Sequence, residues 1–380
     1  MSQAALYLDY AATTPTDPQV REAMLPFLGE SFGNPSSVHR IGQEVRRALD
    51  NARDVLAAAI GAESGEIYFT SGGTEANNLA LLGVLTAAKE QGRNHLITAT
   101  AEHHAVLDMA LFAQSVGFDV TVVPVDEFGR VSPEVLTEAL THKTALVSVM
   151  HANNEVGTIN PIAELAALSH EYGALFHTDA VQTLGALPLD VGALGVDLMS
   201  VSSHKIYGPK GAGALYIKSG VRCAPLFHGG SQERKKRPGT ENVPGIVGFG
   251  KAVSLLPEWR DETTARLAPL RDRFIARFPQ AFLNGHPTQR LPGNINLSFV
   301  KPDGETMLLA LDLWGICASS GSACSAGSID PSHVLTAMGV PRERALGAVR
   351  FSLGRTTTPE ELARAADVVE RLVADALLSR

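Results

Sequence analysis

Cysteine is scarce in this chain. Three residues in 380, Cys223, Cys317 and Cys324, are too few and odd in number for a disulfide framework, so each has to be judged as a thiol. An excess of positive charge is also missing. The formal net charge of -8 argues against a general binder of nucleic acid or anionic membranes, although a basic cluster runs from Arg234 to Arg237. No apolar run approaches the length of a membrane span. The opening stretch, MSQAALYLDYAATTP, has no basic leader region and meets an acid at Asp9, so a cytoplasmic protein is expected. Internal repeats are absent. The one compositionally biased segment is ASSGSACSAGS, from Ala318 to Ser328, built from Ala, Ser, Gly and a single cysteine and read as a mobile loop. What remains is a chain suited to small-molecule chemistry. At 45% hydrophobic and 19% charged residues it can bury a substantial core. Its length suits one large domain plus a smaller one.

Short β-branched runs alternate with helical patterns. EIYFT precedes TEANNLALLGVLTAA, HLITAT precedes HAVLDMALFAQS, and TALVSVM precedes PIAELAALSHEYG. Further strands are expected at ALFHTDA, DLMSVSS and GALYIKS. This rhythm predicts an α/β fold, a mostly parallel mixed sheet flanked by helices. Near residue 255 it gives way to longer helices and a different set of strands. The expected division is a large domain over 16–255, with 1–15 and 256–380 forming a smaller α+β domain that carries the cysteine loop at about 318–328.

In open α/β sheets function collects at the carboxyl ends of the strands. Five places there carry unusual residues. In TSGGTEANN a strand enters a glycine turn and then a helix, whose first amides near Gly73 and Thr74 would bind an anion such as phosphate. In AEHHAVLD, His103 and His104 stand at a helix start, where a flat imidazole can cap, pack or stack on a ring. Asp179 in HTDAVQ ends an apolar strand, and a buried carboxylate demands a cationic partner; Gln182 follows three residues later. Asn153 and Asn154 in HANNEVG either form a turn or offer an amide to a ligand. In SSHKIYGPKGAG, Lys205 stands at the edge of a core behind Ser202 and His204.

Each feature alone has a plain structural explanation, including a lysine with a buried stem and a solvated head. Together a phosphate cradle, a stacking group, a carboxylate for a ring nitrogen and an amine describe a pyridoxal phosphate site. Lys205 would be the nucleophilic amine that holds the cofactor. Arg350 in AVRFSLGRTT could clamp a carboxylate through two parallel hydrogen bonds or sit in an internal salt bridge, and Arg355 competes for the first role. Cys324, in its Ser/Gly/Ala loop, suits a reactive thiol, whereas Cys317 reads as a buried small hydrophobe and Cys223 has no supporting group. No ligand cluster supports a metal site.

The stretches YLDYAATTP, FGNPSSVHR, FTSGGTEANN, SSHKIYGPKGAGALY and SSGSACSAGSIDPSHVL together resemble a cysteine desulfurase of the NifS and IscS type, within the class-V aminotransferase family of fold-type I enzymes. The resemblance spans nearly the whole chain. It implies that Lys205 is the Schiff-base lysine, that His103 stacks on the pyridine ring, that Asp179 partners its nitrogen and that Gln182 donates to its phenolic oxygen. It assigns Gly73, Thr74, Ser202 and His204 to the phosphate, and Thr240 of RPGTEN to the phosphate of a neighbouring subunit in a homodimer. Lys235 and Lys236 beside it are read as merely solvated. Arg350, assisted by Asn154, would bind the carboxylate of L-cysteine. Catalysis would fall to Lys205, Cys324 and His103, leaving L-alanine and a persulfide on Cys324 for an iron-sulfur scaffold or another sulfur acceptor. The only metal contact implied is a transient cluster at Cys324. A selenocysteine lyase, or another lyase or aminotransferase-like enzyme on the same scaffold, is the alternative.

Overall fold

The computed structural model describes residues 5–320 and 330–378. The first strand, β1 (Leu6–Tyr7), stands apart from the main sheet. The apolar runs that follow become β2 (Ile67–Thr70), β3 (His95–Ala99), β4 (Asp119–Val123), β5 (Thr144–Ser148), β6 (Leu175–Asp179), β7 (Leu198–Ser202) and β8 (Gly213–Ile217). They form one sheet in the order β2-β8-β7-β6-β5-β3-β4. From β4 to β7 every neighbouring pair is parallel, and β8 lies antiparallel to both β7 and β2. Every residue of β3, β5, β7 and β8 is buried, as expected of strands covered on both faces and therefore rich in Val, Leu and Ile rather than alternating. Parallel neighbours need long crossovers, and the helices Gly73–Lys89, His104–Ser115 and Ile162–Glu171 fall where the sequence pattern predicts them. The edge strand β4 was not anticipated. Its residues are only partly covered, so its sequence lacks the continuous apolar run that marks the central strands.

A second hydrophobic core draws on both ends of the chain. Leu6 and Leu8 join Leu267, Phe274, Phe351 and Val369 in it. Here β9 (Phe282–Leu283) and β12 (Ala348–Ser352) flank β10 (Asn294–Ser298) antiparallel, while β1 runs parallel to β11 (Ile316–Cys317). The break between the helices Val243–Ser254 and Leu256–Ala276 falls at Leu255. Among the described residues no helix is long and apolar enough to cross a membrane.

Buried polar groups fix the strands. His177 on β6 bridges its neighbours, with Nδ1 2.8 Å from Ser148 Oγ on β5 and Nε2 2.9 Å from Ser200 Oγ on β7. Complete burial pushes its pKa down to about 3, and burial takes His151 down to about 4, so both rings are neutral at pH 7. Part of the basic cluster is likewise structural, while Lys235 is exposed as expected. Glu233, on a left-handed backbone at φ 43°, accepts two hydrogen bonds from Arg53 at 2.6 and 2.8 Å and one from the Phe69 amide at 2.9 Å. Arg237 pairs with Glu75, and Lys236 Nζ donates to the Cys223 carbonyl at 2.6 Å, which corrects the expectation that Lys236 is merely solvated.

Two outcomes follow for stability. Arg53→Met strands the Glu233 carboxylate in a dry site and should cost ~3–5 kcal/mol by denaturant unfolding, while the double variant Arg53→Met/Glu233→Leu should recover most of the loss. The buried histidines set a pH dependence. Their folded pKa values lie below the unfolded value, so their stabilisation is complete above about pH 6.5 and is lost as pH falls toward the folded values. His177→Gln should therefore lose ~1.5 kcal/mol less than the parent protein between pH 6.5 and 5. Equal losses would show that His177 is not held neutral.

Candidate active site

The carboxyl ends of β5, β6 and β7, with the turns after β2 and β3, converge on one cavity of about 300 Å³. Gly73, Thr74, His103, Asn154, Asp179, Gln182, Ser202, His204, Lys205 and Arg350 all line it. One described residue of the expected set is not brought there. Thr240 lines a separate cleft with Ser71 and Gly211, and Cys324 lies outside the described residues.

At one end of the cavity the helix Gly73–Lys89 begins with Gly72 as its cap residue and no side-chain cap, which leaves its first amides for an anion. The backbone there is crowded. A Cβ on Gly213 would come within 2.6 Å of Gly72 Cα, and one on Gly73 within 2.7 Å of Val181 Cγ2, so neither position tolerates a side chain without movement. Ser202 Oγ is buried in the same wall and has no hydrogen-bond partner among the described residues. His204 Nδ1 lies 3.1 Å from Thr13 Oγ1, and burial, helped by Lys205, pushes its pKa down to about 4.

Asp179 closes β6 on the floor. Its Oδ2 accepts from Asn77 Nδ2 at 2.6 Å and its Oδ1 from the Val181 amide at 2.9 Å. Asn77 lies one helical turn beyond Thr74, which was the available sign of its position. His103 caps the helix His104–Ser115, and its Nδ1 accepts the Ala105 amide at 3.0 Å. The neutral ring therefore carries its proton on Nε2, and burial lowers its pKa from the usual histidine value. Lys205 reaches across to the N-terminal segment, donating to the carbonyls of Ala11 and, at 2.8 Å, Ala12. Gln182 Nε2 donates to the same Ala11 carbonyl at 3.0 Å. Two residues past the lysine, Tyr207 adopts a left-handed φ of 66°, a strained choice for a bulky side chain.

At the opposite end Arg350 on β12 is 2% exposed. Its Nη1 donates to the Asn154 backbone carbonyl at 2.9 Å, so Asn154 contacts the guanidinium through its main chain, and its Nη2 donates to Asp9 Oδ1 at 2.7 Å. The two readings of Arg350 thus coexist, since a cavity-lining guanidinium is also in a salt bridge. Arg355 pairs with Asp17 and stacks over Tyr207, outside this cavity. Sequence reasoning missed Glu155 and His333, which also line the wall. Glu155 accepts from Ser332 Oγ, burial raises its pKa, and His333 Nε2 donates to the Glu102 carbonyl at 2.9 Å. Cys317 is half-buried rather than enclosed, and Cys223 is buried, its thiol pushed up to about 12. Among the described residues no group of His, Cys, Asp and Glu could hold a metal ion.

The family model of the class-V aminotransferases matches residues 6–364. The cysteine desulfurase IscS of Dictyoglomus turgidum is 55% identical over 372 residues, covering 97% of this chain and 94% of its own. That of Methanosarcina thermophila is 51% identical, at 97% and 92% coverage. A solved structure described as a NifS-like protein superposes with a TM-score of 0.92 at 38% identity, covering 98% of this chain and all of that one. Near full-length agreement in sequence and fold, around a cavity with this set of donors, means that the chain belongs to the class-V aminotransferase family, among its cysteine desulfurases.

Proposed function

We propose that this protein is a pyridoxal phosphate-dependent cysteine desulfurase that takes sulfur from L-cysteine and leaves L-alanine. The observation that carries the reading is the meeting, in one cavity, of Lys205, Asp179, His103, an uncapped helix start and the partnerless buried hydroxyl of Ser202. These residues fit the cofactor. A dianionic phosphate suits the free amides of Gly73 and Thr74 with Ser202, and a cationic ring nitrogen suits the carboxylate of Asp179. His204 and Gln182 complete the donors on this wall, and Thr240 of a second subunit completes the phosphate site in a homodimer. When bound, the cofactor supplies an aldehyde for amines and a ring that stores the electrons released at the substrate α-carbon.

The chain's own residues do the rest. Lys205 would hold the cofactor through its amine and, when that amine is free, would take the α-proton on Nζ. Arg350, with Asn154, holds the substrate carboxylate. With Nδ1 taken by the Ala105 amide, His103 is left with Nε2 to move a proton on or off the substrate sulfur. The Cys324 thiolate attacks that sulfur: the new S–S bond forms as the C–S bond breaks, the electron pair stays with the carbon skeleton, and protonation there yields alanine. The persulfide then passes to an iron-sulfur scaffold or another acceptor protein in the cytoplasm. Residues 16–255 act as the cofactor-binding domain, and 1–15 with 256–380 as a smaller domain; their separate hydrophobic cores support this division.

Alanine and sulfide release from L-cysteine, measured with a reductant for wild type and Cys324→Ala after recording each visible spectrum, tests the reading. Both proteins should show the absorption of bound cofactor and only the wild type should turn over. Equal turnover would remove Cys324 and leave a different lyase on this fold. His103→Ala should keep the cofactor and lose about 100-fold or more in kcat, within the range for a positioned acid or base; full activity would end its proton role.

A further inference from the structure

The segment YLDYAATTP matches the family pattern, yet the reaction as described uses none of its side chains. The structure gives it one. Asp9 bridges in parallel to Ser352, and Ser352 is two residues beyond Arg350 on β12. Side chains at i and i+2 of a strand share a face, so this register sets the Asp9 carboxylate beside the Arg350 guanidinium. The contact is Nη2 to Oδ1 at 2.7 Å, with the arginine side chain 2% and the aspartate 20% exposed.

We propose that Asp9 is a positioning residue that presets the Arg350 guanidinium for the substrate carboxylate and so enforces selection for an amino acid with a free carboxylate. The proposal rests on the reading of Arg350 as the carboxylate clamp. A guanidinium is a planar fork whose donors point in fixed directions. With Asp9 holding Nη2 and the Asn154 carbonyl holding Nη1, its plane is set by acceptors at two ends. Asp9 is itself fixed by the main chain: the Ser352 amide donates to the Leu8 carbonyl at 2.7 Å, and the Ala11 amide to Ser352 Oγ at 2.9 Å. The same stretch continues to the Ala11 and Ala12 carbonyls that receive Lys205. Residues 9–12 therefore hold both the cation for the substrate's carboxylate and the amine that works at its α-carbon.

The test is steady-state desulfuration by the holoenzyme, with L-cysteine and its methyl ester compared for wild type, Asp9→Ala, Asp9→Asn and Arg350→Ala. Losing a hydrogen bond to a charged group should raise the KM of Asp9→Ala for L-cysteine about ten-fold or more, with kcat changed by less than about three-fold. The ester, which has no anion to clamp, should keep its KM. Asp9→Asn retains an acceptor oxygen and should restore much of the affinity for L-cysteine. Melting midpoint and visible spectrum monitor folding and cofactor content. An Asp9→Ala enzyme with unchanged KM, or with acid and ester weakened alike, overturns the proposal. If Arg350→Ala itself leaves the KM for L-cysteine unchanged, the clamp reading fails, and with it the ground for Asp9.

Discussion

A buried carboxylate on the floor of the cleft is the constraint around which the site is built. Asp179 is 6% exposed, and a charge so placed is costly unless hydrogen bonds and a cation meet it. Asn77 and the Val181 amide supply the bonds within the chain. Its main chain is equally committed, since its carbonyl accepts from His151 and the next amide donates to Ser200. These contacts lock β6 to the ends of β5 and β7, and so place Ser202, Lys205 and Asn154 around the same point. Removing the acid would disturb the cofactor's ring nitrogen and loosen the register of three strands together.

Protonation states in this pocket are set mainly by burial. His103 and His204 lose affinity for protons because a charged imidazole is poorly solvated there, while the carboxyl groups of Glu102 and Glu155 gain it for the same reason. Burial thus favours the uncharged form at each of these groups. The ionic partners in place are Asp179, the Lys205 amine and the Asp9–Arg350 pair. An incoming zwitterion meets defined partners instead of a diffuse field, which suits a site that has to orient one carboxylate and one amine.

Much of this was legible in the sequence because it is written locally. Strands β5 to β8 announce themselves as apolar runs, and the turns after them carry Asp179, Lys205 and the Gly73–Thr74 pair within a few residues. Histidine at a helix start was visible for the same reason. Asn77 leaves no such mark, because an amide inside a helix has no spacing that distinguishes it from a surface residue. Asp9, Glu155 and His333 were harder still, since their partners are supplied by remote elements: Arg350 for Asp9, Ser332 for Glu155, the Glu102 carbonyl for His333. Tertiary contacts between single side chains leave no periodicity to read. Within the basic run at Arg234 to Arg237, Lys236 misled in the opposite direction. Local composition suggested solvated charge at Lys235 and Lys236; the fold leaves Lys235 exposed but ties Lys236 to the Cys223 carbonyl, and it buries Glu233 as the counter-ion of Arg53.

The Asp9–Arg350 pair also has a temporal meaning. Its partners are 341 positions apart, and β1 finds its strand partner only at Ile316 and Cys317. On a ribosome adding about 5–20 residues per second, Asp9 waits on the order of 20–70 s for its cation to be made. The large sheet can assemble during that interval, because its last strand ends at Ile217. A nascent chain can therefore own a folded cofactor floor while its carboxylate clamp does not yet exist, and substrate selection becomes possible only when the two distant stretches meet.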